Sequence, residues 1–330
     1  MSDPKKPASI LAPFIEGLLE EKHSQGYVYN TERDILLRFD KYCQDRALKD
    51  LLLTKEFLSG WCEQTETEGL SNHGKRVSVV RELSFYMASL GYDTYIPRVS
   101  ISHCTVLPHL FTAEERIAFF HEIDCYAPCS TISNVFYHRR LANEYKVLFR
   151  MIYCCGLRNS EACTISTECV NLKDGVITIL NSKGSKDRLV YMQPDLTELC
   201  NEYYDWLLSF LGRRPAWFFP GKSISKPVRN TSIDRTFNYF WNRTSASANC
   251  NNKPTVHDLR FSFVTDRIND WAKNGDDVEY LMPYLSKYLG HQCIQDTYYY
   301  YHTSKQLFDV IKARDKTASL VIPEADDYGL

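Results

Sequence analysis

Six side chains of this sequence have the types needed to hold, attack and protonate a phosphodiester: Arg158, Lys183, His257, Arg260, His291 and Tyr300. They fall in ordered local motifs. The first is Gly156-Leu157-Arg158-Asn159-Ser160-Glu161, and the second is His257-Asp258-Leu259-Arg260. The third is Leu289-Gly290-His291, followed nine residues later (300 − 291) by Tyr300 and then by His302. A guanidinium is planar and permanently charged, and its paired donors match two non-bridging phosphate oxygens. Charge builds on those oxygens in a pentacoordinate transition state, so fixed donors there stabilise it preferentially. A tyrosine oxygen can serve as the nucleophile, with lysine and histidine moving protons.

Each residue also has an ordinary reading. A lone arginine is usually a surface ion pair, a lone histidine is usually structural, and a lysine is usually solvated. Tyr298-Tyr299-Tyr300-Tyr301 reads in part as a packing cluster. Successive helical residues differ by about 100°, so only one of the four can point squarely at a pocket. Lys186 competes with Lys183 in the same polar turn, Asn181 to Asp187.

The ordered set resembles the tyrosine recombinase (phage integrase) family, by motif from about Thr112 to His302 and elsewhere by size and helical pattern. The resemblance implies that Tyr300 attacks the DNA backbone to form a 3′-phosphotyrosine bond, freeing a 5′-hydroxyl. Two family spacings, nine after His291 and two before His302, both select Tyr300. The order Lys-Gly-x-Lys-x-Arg from Lys183 to Arg188 selects Lys183 as general acid for the leaving oxygen. His257 would move a proton with the nucleophile, and His291 would donate to the phosphate. Glu161 would orient the site, an ordinary helix pair being the alternative. Where the family often has a basic residue after the second arginine, this chain has Phe261.

The same resemblance implies double-stranded DNA recombination sites as partner, a homotetramer assembled on them, sister recombinases or accessory factors, a mobile genetic element as source, and no cofactor or metal. The fold it implies is mainly α (α+β). A helical core-binding domain (residues 1–105) would precede a mostly helical catalytic domain (106–330) holding a small three-stranded antiparallel sheet. Lys75, Arg76, Arg81, Lys186 and Arg188 are candidate DNA contacts. A C-terminal apolar patch, Ala318 to Pro323, would dock on a neighbouring protomer. Two alternatives stay open: a type IB topoisomerase-like enzyme, and an inactive architectural DNA-binding protein of the same fold.

The elements that must position these residues are legible as patterns. A first helix is expected near Ser9, leaving no room ahead of it for an arm-binding domain. Thr31, Thr54 and Ser71 are candidate helix caps, and Gly91 is a natural stop. Residues 96–108 hold two prolines and no helical period, as a linker would. Thr112-Ala113-Glu114-Glu115 is a capping-box pattern. Asp174-Gly175 between Val170-Leu172 and the Val176–Leu180 run predicts a hairpin, with a third strand over Arg188–Met192. From Leu196 to about Lys312 the pattern is again helical.

Composition bounds the partner. The 330 residues carry 39 Lys+Arg and 41 Asp+Glu, a net charge of −2, with a pI near 6.5. Before Leu110 there are 13 basic and 15 acidic residues, leaving 39 − 13 = 26 and 41 − 15 = 26 after it. Neither half is basic overall, so a DNA-facing surface must be local. The N-terminus lacks a signal-peptide core, and no apolar run can span a bilayer, which suggests a cytoplasmic protein. Twelve cysteines without a CxxC pair suggest reduced thiols. His121, Cys125, Cys129 and His138 could in principle hold zinc, but their spacing fits no common module.

Overall fold

The computed structural model of the chain describes residues 6–99, 108–128, 135–182, 186–250 and 252–303. Lys183, Cys129 and the apolar C-terminal patch lie outside these residues. The chain divides into two compact units, residues 1–106 and 107–330.

The first unit contains helices α1 (Ala12–Ser24), α2 (Asn30–Asp45), α3 (Lys55–Cys62) and α4 (Leu70–Ser89). Their apolar faces meet in one core that includes Leu18, Ile35, Phe39, Trp61, Val80 and Leu83. Thr54 caps α3, its hydroxyl accepting from the Phe57 amide at 3.1 Å. Three expected starts are displaced. The first helix opens at Ala12 because the Ala8 and Ser9 amides donate to the buried Asp40 carboxylate, each at 2.9 Å. In α2, Asn30 and not Thr31 opens the helix, and the chain enters through Tyr29 in the left-handed region at φ 48°. Gly69 precedes α4, so Ser71 lies inside its first turn and does not cap it.

The second unit begins with α5 (Ala113–Asp124), closed by the expected capping box between Thr112 and Glu115. Helix α6 (Val135–Cys155) runs through the centre, burying Leu141, Tyr145, Leu148, Phe149 and Ile152. Short helix α7 (Asn159–Cys163) leads to strands β1 (Val170–Asn171), β2 (Val176–Ser182) and β3 (Lys186–Tyr191). These form an antiparallel sheet in the order β1-β2-β3, with Val176 opposite Tyr191 and Ile179 opposite Arg188. Strand β1 stops before Leu172, where the Asn171 side chain accepts from the Lys173 and Asp174 amides and bends the chain into the turn. Helices α8 (Pro194–Leu211), α9 (Asn230–Trp241), α10 (Val256–Asn274), α11 (Val278–Leu289) and α12 (Gln295–Thr303) complete the described unit. The core is strongly aromatic: Phe111, Phe119, Phe149, Phe237, Phe240 and Trp241 pack with ring centroids 4.9–6.4 Å apart. Among the described residues no helix is long and apolar enough to cross a membrane.

Two of the glycine-containing motifs are helix ends of one kind. Gly156 (φ 62°) and Gly290 (φ 67°) take the left-handed conformation just past α6 and α11. The next amide then reaches back five residues, Leu157 to the Ile152 carbonyl and His291 to the Ser286 carbonyl, each at 3.1 Å. This is the Schellman arrangement, which sharply redirects the chain. Arg158 and His291 therefore leave helix ends at fixed angles. The third motif starts a helix: Asp258 accepts from the Thr255 amide at 2.7 Å as the reciprocal half of a capping box.

At Gly156 a Cβ would also meet the Phe263 ring at 2.5 Å and Leu289 at 3.3 Å, whereas Gly212 (φ 65°) has nothing within 4 Å. Gly156→Ala is therefore expected to lower stability by about 2–5 kcal/mol, combining left-handed strain and overpacking. Gly212→Ala should lose only about 1–2 kcal/mol. Urea unfolding of the two variants checks this, and equal losses would show that packing around Gly156 is unimportant.

Candidate functional site

The site is organised around one carboxylate. Glu161, in α7, receives both terminal nitrogens of Arg188 from β3, at 2.8 and 2.7 Å. It also receives the Arg158 Nη1 at 2.7 Å and the Arg158 amide at 2.9 Å. Arg260 Nη1 lies 3.9 Å from the same carboxylate. Burial alone would raise the Glu161 pKa, but the Arg188 and Arg158 hydrogen bonds and charges outweigh it and hold it down at about 2. Three guanidiniums thus share one anion.

Helix ends supply the remaining acceptors. Arg260 Nη1 donates to the Gly156 carbonyl at 2.7 Å, and its Nη2 to the Leu289 carbonyl at 2.9 Å. Arg158 Nη2 donates to the Gly290 carbonyl at 3.2 Å. These carbonyls close α6 and α11, where the helix dipole favours positive charge. Arg260 is 1% exposed. Burial and then the Arg158 charge lower its pKa to about 10, with Tyr300 and Glu161 opposing. It remains protonated at neutral pH, and its buried Nε has no hydrogen-bond partner among the described residues.

Tyr300 completes the cluster from α12. It is 6% exposed and packs on Phe261 at 4.4 Å between ring centroids and on His291 at 5.8 Å, nearly parallel at 13°. The departure at Phe261 thus has a structural use, since its ring is the floor under Tyr300. Tyr299 is exposed and meets Phe261 edge-on. His291 is held on both sides: its Nε2 lies 3.0 Å from Arg260 Nη2, and its Nδ1 lies 2.7 Å from Thr297 Oγ1. Burial, then Arg260 and Arg158, lower its pKa to about 4, so the ring is neutral at neutral pH. His257, in the first turn of α10, keeps solvent exposure. Its pKa is nonetheless lowered by enclosure and by Arg260 and Arg158, against Asp258. Its ring makes no hydrogen bond among the described residues.

The structure therefore brings Arg158, Glu161, Arg260, His291 and Tyr300 together, with His257 within electrostatic reach. Lys183 is outside the described residues, and only the backbone is described at Lys186 and His302. Two candidate DNA contacts require correction. Arg188 is no surface residue, because its guanidinium is bound bidentately to Glu161 with the side chain 7% exposed. Arg76 is buried and committed to its own unit, donating to Glu68, to the Glu63 carbonyl and to the Trp61 carbonyl. Lys75 pairs with Glu32 at 3.0 Å, and Arg81 lies over the Phe85 ring. Thr297 stands in none of the sequence motifs yet touches His291. Its signal was its place one helical turn before Tyr300, on the same face. Of the four zinc candidates, His121 and Cys125 are in contact at 3.5 Å, and among the described residues no group of three potential metal ligands forms.

Glu161 sets a pH dependence of stability. A carboxylate depressed from 4.5 to about 2 stabilises the fold above its unfolded pKa, and that contribution is lost as pH falls from about 5 to 2. The shift corresponds to roughly 3 kcal/mol. Glu161→Gln should lose at least that much near neutrality, because Arg188 is left buried and unpaired. It should also show a flatter stability curve between pH 5 and 2, measured by urea unfolding at each pH. A parallel pair of curves would contradict this assignment.

Comparison with known proteins agrees with the geometry. The profile of the phage integrase family matches residues 131–306. An integrase/recombinase of Sinorhizobium fredii is 26% identical over 266 residues, covering 77% of this chain and 81% of the relative. Tyrosine recombinase XerD of Pseudomonas putida is 29% identical over 174 residues, covering 51% of this chain and 53% of its own. Among solved structures, the XerH site-specific recombinase bound to its palindromic difH substrate matches with a TM-score of 0.60 at 20% identity, over 86% of this chain and 79% of that one. The Tn1549 transposon integrase in complex with a circular intermediate DNA matches with a TM-score of 0.60 at 16% identity, over 91% and 98%. The described residues hold twelve α-helices and one small antiparallel sheet, and the matches show that the fold is that of these recombinase structures. With the family profile spanning more than half of its length, the chain belongs to the phage integrase family of tyrosine recombinases.

Proposed function

We propose that this protein cuts and rejoins double-stranded DNA at recombination sites by two successive transesterifications. Tyr300 Oη attacks a backbone phosphorus; the new O–P bond forms as the bond to the 5′-oxygen breaks. The phenolic proton passes to His257, and Lys183 protonates the leaving 5′-oxygen. A 5′-hydroxyl from the partner duplex then reverses the chemistry and releases Tyr300. Because the phosphodiester bond is exchanged and never hydrolysed, no nucleotide cofactor is needed. The cations Arg158 and Arg260 supply the charge that stabilises the five-coordinate phosphorus.

The observation that carries this reading is the packing of Tyr300 on His291 and Phe261 beside a fully buried, still charged Arg260. A tyrosine with only a structural task has no need of a buried, charged arginine and a histidine beside it. The donors of the DNA-free cluster are turned towards helix-end carbonyls and Glu161, and an arriving phosphate competes for them, as catalytic hydrogen bonds often tighten only in the complex. The XerH and transposon integrase neighbours, each solved with DNA, support a DNA partner. The working form would be a tetramer on two sites in the cytoplasm, serving a mobile element, with sister recombinases or accessory factors where a site demands them. The tail beyond Thr303 would link protomers.

Tyr300→Phe is expected to bind DNA but to form no covalent adduct with a labelled nicked half-site on a denaturing gel. An adduct that persists in this variant and disappears in Tyr299→Phe would reassign the nucleophile. Arg158→Ala should slow adduct formation by about 10²–10³-fold, as for one lost oxyanion donor. Its DNA affinity should change far less, since one phosphate contact among many is removed. Equal losses in both assays would make Arg158 a binding residue only.

A further inference from the structure

Thr297 has no part in the chemistry proposed above, yet it is a fully buried hydroxyl, 0% exposed, one turn before Tyr300 on α12. Its Oγ1 lies 2.7 Å from His291 Nδ1. The direction of this contact follows from its neighbour. Arginine carries only donors, so at 3.0 Å Arg260 Nη2 must donate to His291 Nε2. A neutral imidazole accepting at Nε2 holds its single proton on Nδ1, and that proton points to Thr297. The result is a directed chain, from Arg260 on α10 to His291 past α11 to Thr297 on α12.

In this state His291 offers no proton to a phosphate, because Nε2 is an acceptor. It becomes a donor only if the proton moves to Nε2, and Nδ1 then needs a donor in place of an acceptor. A hydroxyl is both and can rotate from one role to the other. A methyl group in the same volume is neither. We infer that Thr297 is a positioning residue that partners His291 Nδ1 in either tautomer, letting the ring accept from Arg260 in the free protein and donate to the phosphate in the DNA complex. The same contact registers the helix carrying Tyr300 against the phosphate cluster. The inference rests on the roles given to His291 and Tyr300 above.

The test uses the full chain with Thr297→Val, which keeps the shape, and Thr297→Ser, which keeps the hydroxyl. Ring-nitrogen NMR of ¹⁵N-histidine protein, without DNA, should show His291 in the parent protonated on Nδ1 only. Thr297→Val should keep that tautomer without DNA, because Arg260 still donates to Nε2, but on a bound intact site it should fail to move the proton to Nε2 as the parent does. Adduct formation on nicked half-sites should slow about 10–100-fold in Thr297→Val, the usual effect of losing a group that orients a functional histidine. DNA affinity should be unchanged, and Thr297→Ser should stay within about threefold of the parent, as retention of the orienting hydroxyl implies. A parent ring protonated on Nε2 without DNA, a Thr297→Val ring that moves its proton to Nε2 on DNA as the parent's does, a parental cleavage rate in Thr297→Val, or a Thr297→Ser variant as slow as Thr297→Val would each overturn the inference. A parent that forms no adduct at all would instead sink the recombinase reading, and the NMR measurement would still decide the role of Thr297.

Discussion

One carboxylate makes the site possible. Arg158, Arg188 and Arg260 bring three positive charges into a space of a few ångströms, much of it shielded from water. Unit charges 4 Å apart repel by about 4 kcal/mol at the dielectric typical of a protein surface. Glu161 offsets this by facing all three, at 2.7 to 3.9 Å. Its own amide neighbours and α7 are placed by the turn at Gly156, so the anion and the helix that carries it are fixed together. The last carbonyls of α6 and α11 then take the arginine donors that Glu161 leaves over. Charge, helix dipole and two left-handed glycines form one construction.

Tyr300 is fitted to that construction mainly by packing. It belongs to the apolar cluster of α10, α11 and α12, alongside Phe261, Val264, Met282 and Leu289. The hydroxyl end meets the cationic group while the ring rests on Phe261. Such an arrangement gives an aromatic side chain a defined direction without a hydrogen bond from every neighbour. Polar orientation arrives separately, through His291 and Thr297, so the two sides of the ring are positioned by different physics.

Much of this was legible in the sequence because the informative features are local. The Asp174-Gly175 turn, the Thr112 capping box and the Thr54 cap depend on a few adjacent residues, and the structure contains each. Gly156 and Gly290 sit in motifs whose chemistry drew notice, but their shared role as Schellman caps needs the helix ends in view. Thr31 and Ser71 fall just inside the helices they were expected to open, whereas the failures at the candidate contacts are tertiary. Arg188 and Arg76 look like solvent-facing cations on a strand and a helix; only the fold reveals that Glu161, and Glu68 with two carbonyls, have claimed them. The near-neutral charge balance is affected too, because arginines held indoors contribute little to any surface field. Thr297 carries only the weak signal of its place one turn before Tyr300, because its partner is six residues away and across a change of helix.

The site is also spread widely along the chain. Arg158 meets Gly290 across 132 residues, and Arg260 meets Gly156 across 104. During synthesis, Glu161 and Arg188 can pair as soon as the sheet has left the ribosome, 27 residues apart. Arg260 has no complete set of acceptors until α11 emerges, and Phe261 and His291 have no tyrosine to pack on until α12 follows. Contacts of such separation close late, after the entropy of the intervening loop has been overcome. On the proposed chemistry, a nascent or proteolytically shortened chain would hold the arginines without the attacking tyrosine and would leave no broken strand behind. Competence to break DNA would then arrive only with α12, when the arginine cluster that would serve the resealing step is already assembled.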